Sequence, residues 1–154
     1  MKNFQQKSTA ENQIERNVAP PSVTEYMVRD IITFRPDTPI SEVIDSLLEN
    51  RITGAPVLND LNEIIGLIDD KDCLNVLFGG VYHNSPVPHD DTVASYMSNV
   101  MKTISINADI FEVANKFLTT PFKRLLVMDD NGKLAGQVSR RDILRAIKDM
   151  NAAH

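Results

Sequence analysis

Apolar residues recur along the chain in two rhythms. Ile40, Val43, Ile44, Leu47 and Leu48 fall at i, i+3, i+4, i+7 and i+8, one face of a helix with about 3.6 residues per turn. Ile110, Val113, Ala114, Phe117 and Leu118 repeat that spacing. After each helix come two apolar runs around a polar turn, at 55–58 and 64–68, and again at 125–128 and 134–138. The second turn is Asp129-Asp130-Asn131-Gly132, whose Asn-Gly step suits a hairpin. A last amphipathic stretch carries Leu74, Leu77 and Phe78 in one half, and Ile143, Leu144 and Ile147 in the other. A short extended piece is expected before each first helix, at 31–34 and 103–106. Thr38 before Pro39 predicts an N-cap followed by a first-turn proline, and Asp109 with Glu112 predicts a capping box. The predicted unit is strand, helix, strand, strand, helix, and it occurs twice.

The two units are copies in one unbroken register. Val23, Tyr26 and Met27 recur 70 positions later as Val93, Tyr96 and Met97. At the same offset Val57 matches Val127, and Gly66, Asp72 and Leu74 match Gly136, Asp142 and Leu144. This divides the chain into a polar tail (1–22), a first repeat (23–78), a connector (79–92), a second repeat (93–150) and a C-terminal tail (151–154). Gly79-Gly80, Pro86 and Pro88 make the connector read as a loop. A unit this small buries little surface alone, so two copies packed sheet to sheet about a pseudo-twofold axis are expected, with related clefts between them.

Composition narrows the function. The 154 residues are 42% hydrophobic and 24% charged, the balance of a globular domain, and the net charge of -5 argues against a nucleic-acid partner held by phosphate neutralisation. No apolar run approaches the roughly 18 residues a membrane span needs, and the Asn- and Gln-rich N-terminus lacks the apolar core of a signal peptide. A cytoplasmic protein without a membrane partner is expected. The single cysteine, Cys73, rules out an intrachain disulfide and lies on an apolar helical stretch, as an inert buried thiol would. His83, His89 and His154 fall in the connector and the tail, where solvation accounts for them. No nucleophile elbow, P-loop or dinucleotide fingerprint occurs, so no catalytic residue is assigned and the chain is read as a non-enzyme.

Several motifs together resemble a known family. They are the Tyr-Met pairs ahead of Thr33 and Thr103, the entry Gly54-Ala55-Pro56-Val57, and the spacings Gly66…Asp72 and Gly136…Asp142. In this order and at this repeat length they resemble a tandem pair of cystathionine-beta-synthase (CBS) domains, a Bateman module, over residues 23–150. The resemblance implies an α/β (α+β) fold of two- to three-stranded sheets covered by helices. It also implies clefts that hold an adenine nucleotide (AMP, ADP or ATP, the last with magnesium), and pairing of two modules into a flat homodimer.

Residue chemistry bears on where such a ligand sits. In the second copy Ser139 and Asp142 form a capping-box start for the last helix, whose N-terminus favours an anion. Arg140 and Arg141 add donors suited to phosphate, and Lys123 and Arg124 stand at the strand entry. The resemblance makes Asp142 the ribose acceptor, with Ser139 beside ribose or phosphate. The equivalent run in the first copy is Asp69-Asp70-Lys71-Asp72, which keeps a cap and a ribose partner in Asp72 but repels phosphate. A bridging magnesium ion would offset that repulsion, whereas a solvated cap explains the aspartates without one.

Residues 23–77 carry four basic and eleven acidic side chains, net -7, against eight and five, net +3, in residues 93–147. The resemblance places the adenine slot between the first strand and the strand entry. The favoured cleft is therefore Thr103, Lys123, Arg124, Leu125, Ser139, Arg140, Arg141 and Asp142; the second is Thr33, Thr53, Gly54, Ala55, Pro56 and Asp72. The expected function is a ligand-sensing module acting on an unidentified protein partner, the alternative being a structural or protein-interaction module that binds no nucleotide.

Overall fold

In the computed structural model the described residues are 19–82, 91–99 and 102–152. The tail up to residue 18, most of the connector with His83 and His89, and His154 lie outside them. The first copy contains helix α1 (Ile40–Glu49), strands β1 (Gly54–Leu58) and β2 (Ile64–Asp69), and helix α2 (Asp70–Tyr82). The second contains β3 (Thr103–Ser105), α3 (Ile110–Thr119), β4 (Arg124–Met128), β5 (Leu134–Ser139) and α4 (Arg140–Ala152). β1 and β2 form an antiparallel pair running from Gly54↔Asp69 to Leu58↔Ile64. β4 and β5 repeat it from Arg124↔Ser139 to Met128↔Leu134, with β3 added parallel to β4.

The hairpins turn through matched chemistry. Asn59 Oδ1 accepts from the N–H groups of Leu61 and Glu63 at 2.9 and 3.0 Å, and Asp129 Oδ1 accepts from Asn131 and Lys133, both at 2.9 Å. Gly132 sits at φ +80° and its counterpart Asn62 at φ +62°, the left-handed conformation these two residue types tolerate.

Each copy is completed by the other. The segment around the 3-10 turn Val23–Glu25 belongs by sequence to the first copy but packs on the second, with Val23 fully buried among Ile110, Val113, Leu125 and Val138. Val93 is buried reciprocally among Ile40, Val43, Val57 and Ile68. The backbone pairs Ser22↔Asp109 and Val28↔Gln137 have as counterparts Thr92↔Pro39 and Ser98↔Leu67. These exchanged arms also serve the first helices: Ile40 N–H donates to the Asp91 carbonyl and Ile110 N–H to the Pro21 carbonyl, both at 3.0 Å. A third cluster, with Leu58, Ile64 and Leu126 buried at its centre, joins the two sheets. The fold is thus the expected pair of sheet-and-helix units packed sheet to sheet.

Three local expectations are corrected. Thr38 is not the N-cap of α1: Pro39 holds that place without a side-chain bond, and Thr38 Oγ1 instead accepts from Arg35 N–H at 3.0 Å. The exchanged arm takes only the N–H of the first helical residue, Ile40. The extended piece at 31–34 is not a strand but a single bridge, Phe34↔Val57. The reason is proline. In the second copy Leu126 N–H donates to Lys102 and Ile106 N–H to Met128, and the equivalent donors in the first copy are lost to Pro56 and Pro36. Gly79-Gly80 do not open a loop, because α2 runs through them to Tyr82.

Candidate functional site

A cleft of about 940 Å³ opens between the copies and draws on both strand entries and both last-helix starts. From the first copy come Thr53, Gly54, Ala55, Pro56, Asp69, Asp70 and Asp72. From the second come Lys123, Arg124, Leu125, Ser139, Arg140 and Arg141. The two residue sets expected in separate clefts therefore share one cavity. Thr33, Thr103 and Asp142 are not among its lining residues.

The cavity also includes Leu67, Ser98, Lys102, Phe122 and Gln137. Leu67 and Gln137 precede Asp69 and Ser139 by two positions on β2 and β5, so strand alternation puts each pair on one face. That signal was present in the sequence. Ser98 enters only because the second arm crosses to the first copy, which local pattern does not reveal.

The two helix starts are built alike. Asp142 N–H donates to Ser139 Oγ at 3.1 Å, and Ser139 N–H donates to Asp142 Oδ2 at 2.9 Å. Asp72 N–H donates to Asp69 Oδ1 at 2.8 Å, and Asp69 N–H donates to Asp72 Oδ2 at 3.1 Å. Both are reciprocal capping boxes. The remaining oxygen of Asp142 pairs with Arg145 Nη2 at 3.0 Å. Burial raises the Asp72 carboxyl above its ordinary range; the hydrogen bond from Asp69 N–H opposes this, the Asp69 carboxylate adds to it, and Lys102 opposes it more weakly. Burial likewise pushes the Cys73 thiol up to about 11, assisted by Asp72, Asp69 and Asp70.

Charge divides the cavity into two walls. Three carboxylates line it from the first copy, and five cations (Lys102, Lys123, Arg124, Arg140 and Arg141) line it from the second. Arg140 is committed to structure: its Nε donates to the Phe122 carbonyl at 3.0 Å and its Nη2 to the Pro121 carbonyl at 3.3 Å. Lys102 Nζ lies 5.4 Å from the centroid of the Phe122 ring, a cation–π contact. The side chains of Lys123, Arg124 and Arg141 have no ion-pair or hydrogen-bond partner among the described residues. They are the charges free to meet an anion, beside the N-terminus of α4. Among the described residues no histidine or cysteine lines the cavity, and no group of three or more His, Cys, Asp or Glu is arranged to hold a metal ion. No helix among them is long and apolar enough to cross a membrane.

Comparison with known proteins agrees with this architecture. The CBS domain family matches residues 23–79 and again residues 93–149. The chain is 29% identical to the chloroplastic CBS domain-containing protein CBSX1 of Arabidopsis thaliana, over 81% of its length and 63% of the relative's. A crystal structure of CBSX2 in complex with AMP superposes with a TM-score of 0.71 at 25% identity, covering 85% of this chain and 98% of that one. Inosine-5'-monophosphate dehydrogenase of Aquifex aeolicus is 24% identical over 82% of this chain, but the match spans only 24% of the enzyme. Two copies in one register, each matched separately, make this chain a member of the CBS domain family with its two domains in tandem.

Proposed function

We propose that the chain is a non-catalytic regulatory module whose cleft binds one adenine nucleotide, AMP, ADP or ATP, and passes its occupancy to a protein partner. The observation that carries this reading is the meeting, in one cavity, of the free cations Lys123, Arg124 and Arg141 with the Gly54-Ala55-Pro56 entry. The phosphate chemistry of one copy and the flat apolar entry of the other, separate in the sequence, face a single ligand. The volume lies within the roughly 300–1,000 Å³ of small-molecule sites. The AMP held by CBSX2, a relative of the same fold, supports the choice of nucleotide. Phosphates are assigned to Lys123, Arg124, Arg141 and Ser139, and the base to residues 54–56. Asp72 is preferred to Asp142 as ribose acceptor, because Asp72 lines the cleft while both oxygens of Asp142 are engaged.

A homodimer belongs to the same proposal. Leu48 and Leu118, and Leu74 and Leu144, are equivalent positions in the two copies, and all four are more than 60% exposed. Duplication has kept the same leucines uncovered at both ends, as a self-association surface requires. Sedimentation at micromolar concentration tests it, with a dimer mass expected. Calorimetric titration with AMP, ADP and ATP tests the nucleotide reading. Absence of binding by all three would leave the protein-interaction alternative.

A further inference from the structure

The arms that the copies exchange end at the walls of the cleft. Val28 N–H donates to the Gln137 carbonyl and Gln137 N–H to the Val28 carbonyl, both at 2.8 Å. At the equivalent place Ser98 N–H donates to Leu67 at 2.7 Å and Leu67 N–H to Ser98 at 2.9 Å. Three of these four residues, Leu67, Ser98 and Gln137, line the cavity. The arms lie close over a glycine in each copy, and at Gly136 the neighbour is backbone that cannot swing aside. A Cβ on Gly136 would stand 2.7 Å from the Val28 carbonyl oxygen and 2.9 Å from Met27 Sδ, and one on Gly66 would meet Met97 Sδ at 2.5 Å.

We propose that a nucleotide in the cleft clamps both exchanged arms, so that arm docking is the element through which occupancy is read. Ser98 lies on the second arm, so a ligand packed against it loses that contact when the arm lifts, and a ligand packed against Gln137 or Leu67 loses the position that the arms' hydrogen bonds give those strand residues. It therefore binds the docked state better, and a ligand shifts an equilibrium by its differential affinity for the two states. The relation is reciprocal: undocking an arm weakens the ligand by the factor by which the ligand favours docking. The first arm continues directly from the N-terminal segment and the second from the connector. Occupancy thus acts on the two stretches, 19–28 and 91–99, that cross between the copies. This inference rests on the nucleotide reading and adds the route by which binding is reported.

Amide hydrogen exchange on the full chain, with and without saturating AMP, is the test. AMP is expected to slow exchange at Val28, Gln137, Ser98 and Leu67 at least tenfold more than at Leu47 or Val113, which lie in the helices of the two cores. Gly136→Ala, which lifts the first arm, is expected to weaken AMP severalfold. Gly79→Ala, whose added methyl meets no atom within 4 Å, is expected to leave AMP affinity unchanged. If Gly136→Ala fails to fold, the wild-type exchange experiment decides alone. AMP binding with uniform slowing over all these amides would overturn the clamp while leaving the nucleotide reading intact. No AMP binding would overturn both.

Discussion

Glu63 and Lys133, 70 positions apart, pair with each other across the axis that relates the two copies. Equivalent residues can meet in this way only near a pseudo-twofold, and the neighbouring Leu134 N–H reaches the Asn62 carbonyl at 3.4 Å. The pair also shows how the copies diverged, since the same backbone position is acidic in the first and basic in the second. In the cleft that divergence becomes a carboxylate wall facing a cationic one. The backbone is close to symmetric, and the chemistry is not.

Asymmetry of charge should set the stoichiometry. Arg141→Ala and Lys123→Ala are expected to weaken AMP by about tenfold or more each, since a hydrogen bond to a charged group contributes about 1.5–3 kcal/mol. The double change Asp69→Ser, Asp70→Arg gives the first copy the second copy's residues at those two places. Titration calorimetry should then show a rise from one AMP per chain toward two. An unchanged stoichiometry would mean that the aspartates are not what excludes the second phosphate.

The two capping aspartates should separate stability from binding. Asp72→Ala and Asp142→Ala each remove one half of a capping box, the acceptor of the Asp69 or Ser139 N–H, and are expected to lower unfolding stability by about 1 kcal/mol. Only Asp72→Ala should also weaken AMP, because Asp142 has its second oxygen on Arg145. Equal losses of affinity in the two variants, measured after correction for the folded fraction, would contradict the assignment of the ribose to Asp72.

Glycines of the same helix-and-sheet unit should respond in opposite directions. Gly66→Ala and Gly136→Ala force a methyl into Met97, or into Met27 and the Val28 backbone, and overpacking of this kind costs about 1–3 kcal/mol. Gly79→Ala places its methyl in open space inside α2 and should stabilise by about 0.5–1 kcal/mol. Denaturant unfolding of the three variants provides the comparison.

Much of this was legible in the chain. The offset of 70 between Val23-Tyr26-Met27 and Val93-Tyr96-Met97 defines the duplication, and the 3.6-residue spacing from Ile40 to Leu48 locates a helix. The exchange of arms was not legible, because Val23 and Val93 look the same whichever copy they enter. That choice is made by long-range packing, which leaves no local period. The single bridge at Phe34 was readable in principle, since Pro36 and Pro56 stand where the second copy uses donors. The helical course of Gly79-Gly80 was not: each glycine costs about 1 kcal/mol relative to alanine in a helix, so the local preference is against the helix that forms. For the cleft, residue types identified both walls, but nothing in the sequence shows that they face one cavity.

Burial of Cys73 should appear in the pH dependence of stability. Its thiol is raised to about 11 in the folded chain, so its contribution is fully present below the unfolded value near 9. That contribution is lost as pH climbs from about 9 to about 11, where the unfolded chain gives up its proton first. Unfolding curves between pH 8 and 11 should fall more steeply for the wild type than for Cys73→Ala. Parallel curves would show that the thiol titrates normally.

Calorimetric titration of the full chain with AMP tests the central claim most directly. The account predicts saturable binding at one AMP per chain, weakened by added salt and accompanied by a rise in melting temperature. At 100 times the dissociation constant that rise corresponds to about 2.7 kcal/mol of stabilisation. No heat of binding and no shift in melting temperature at millimolar AMP, with ADP and ATP equally silent, would contradict it.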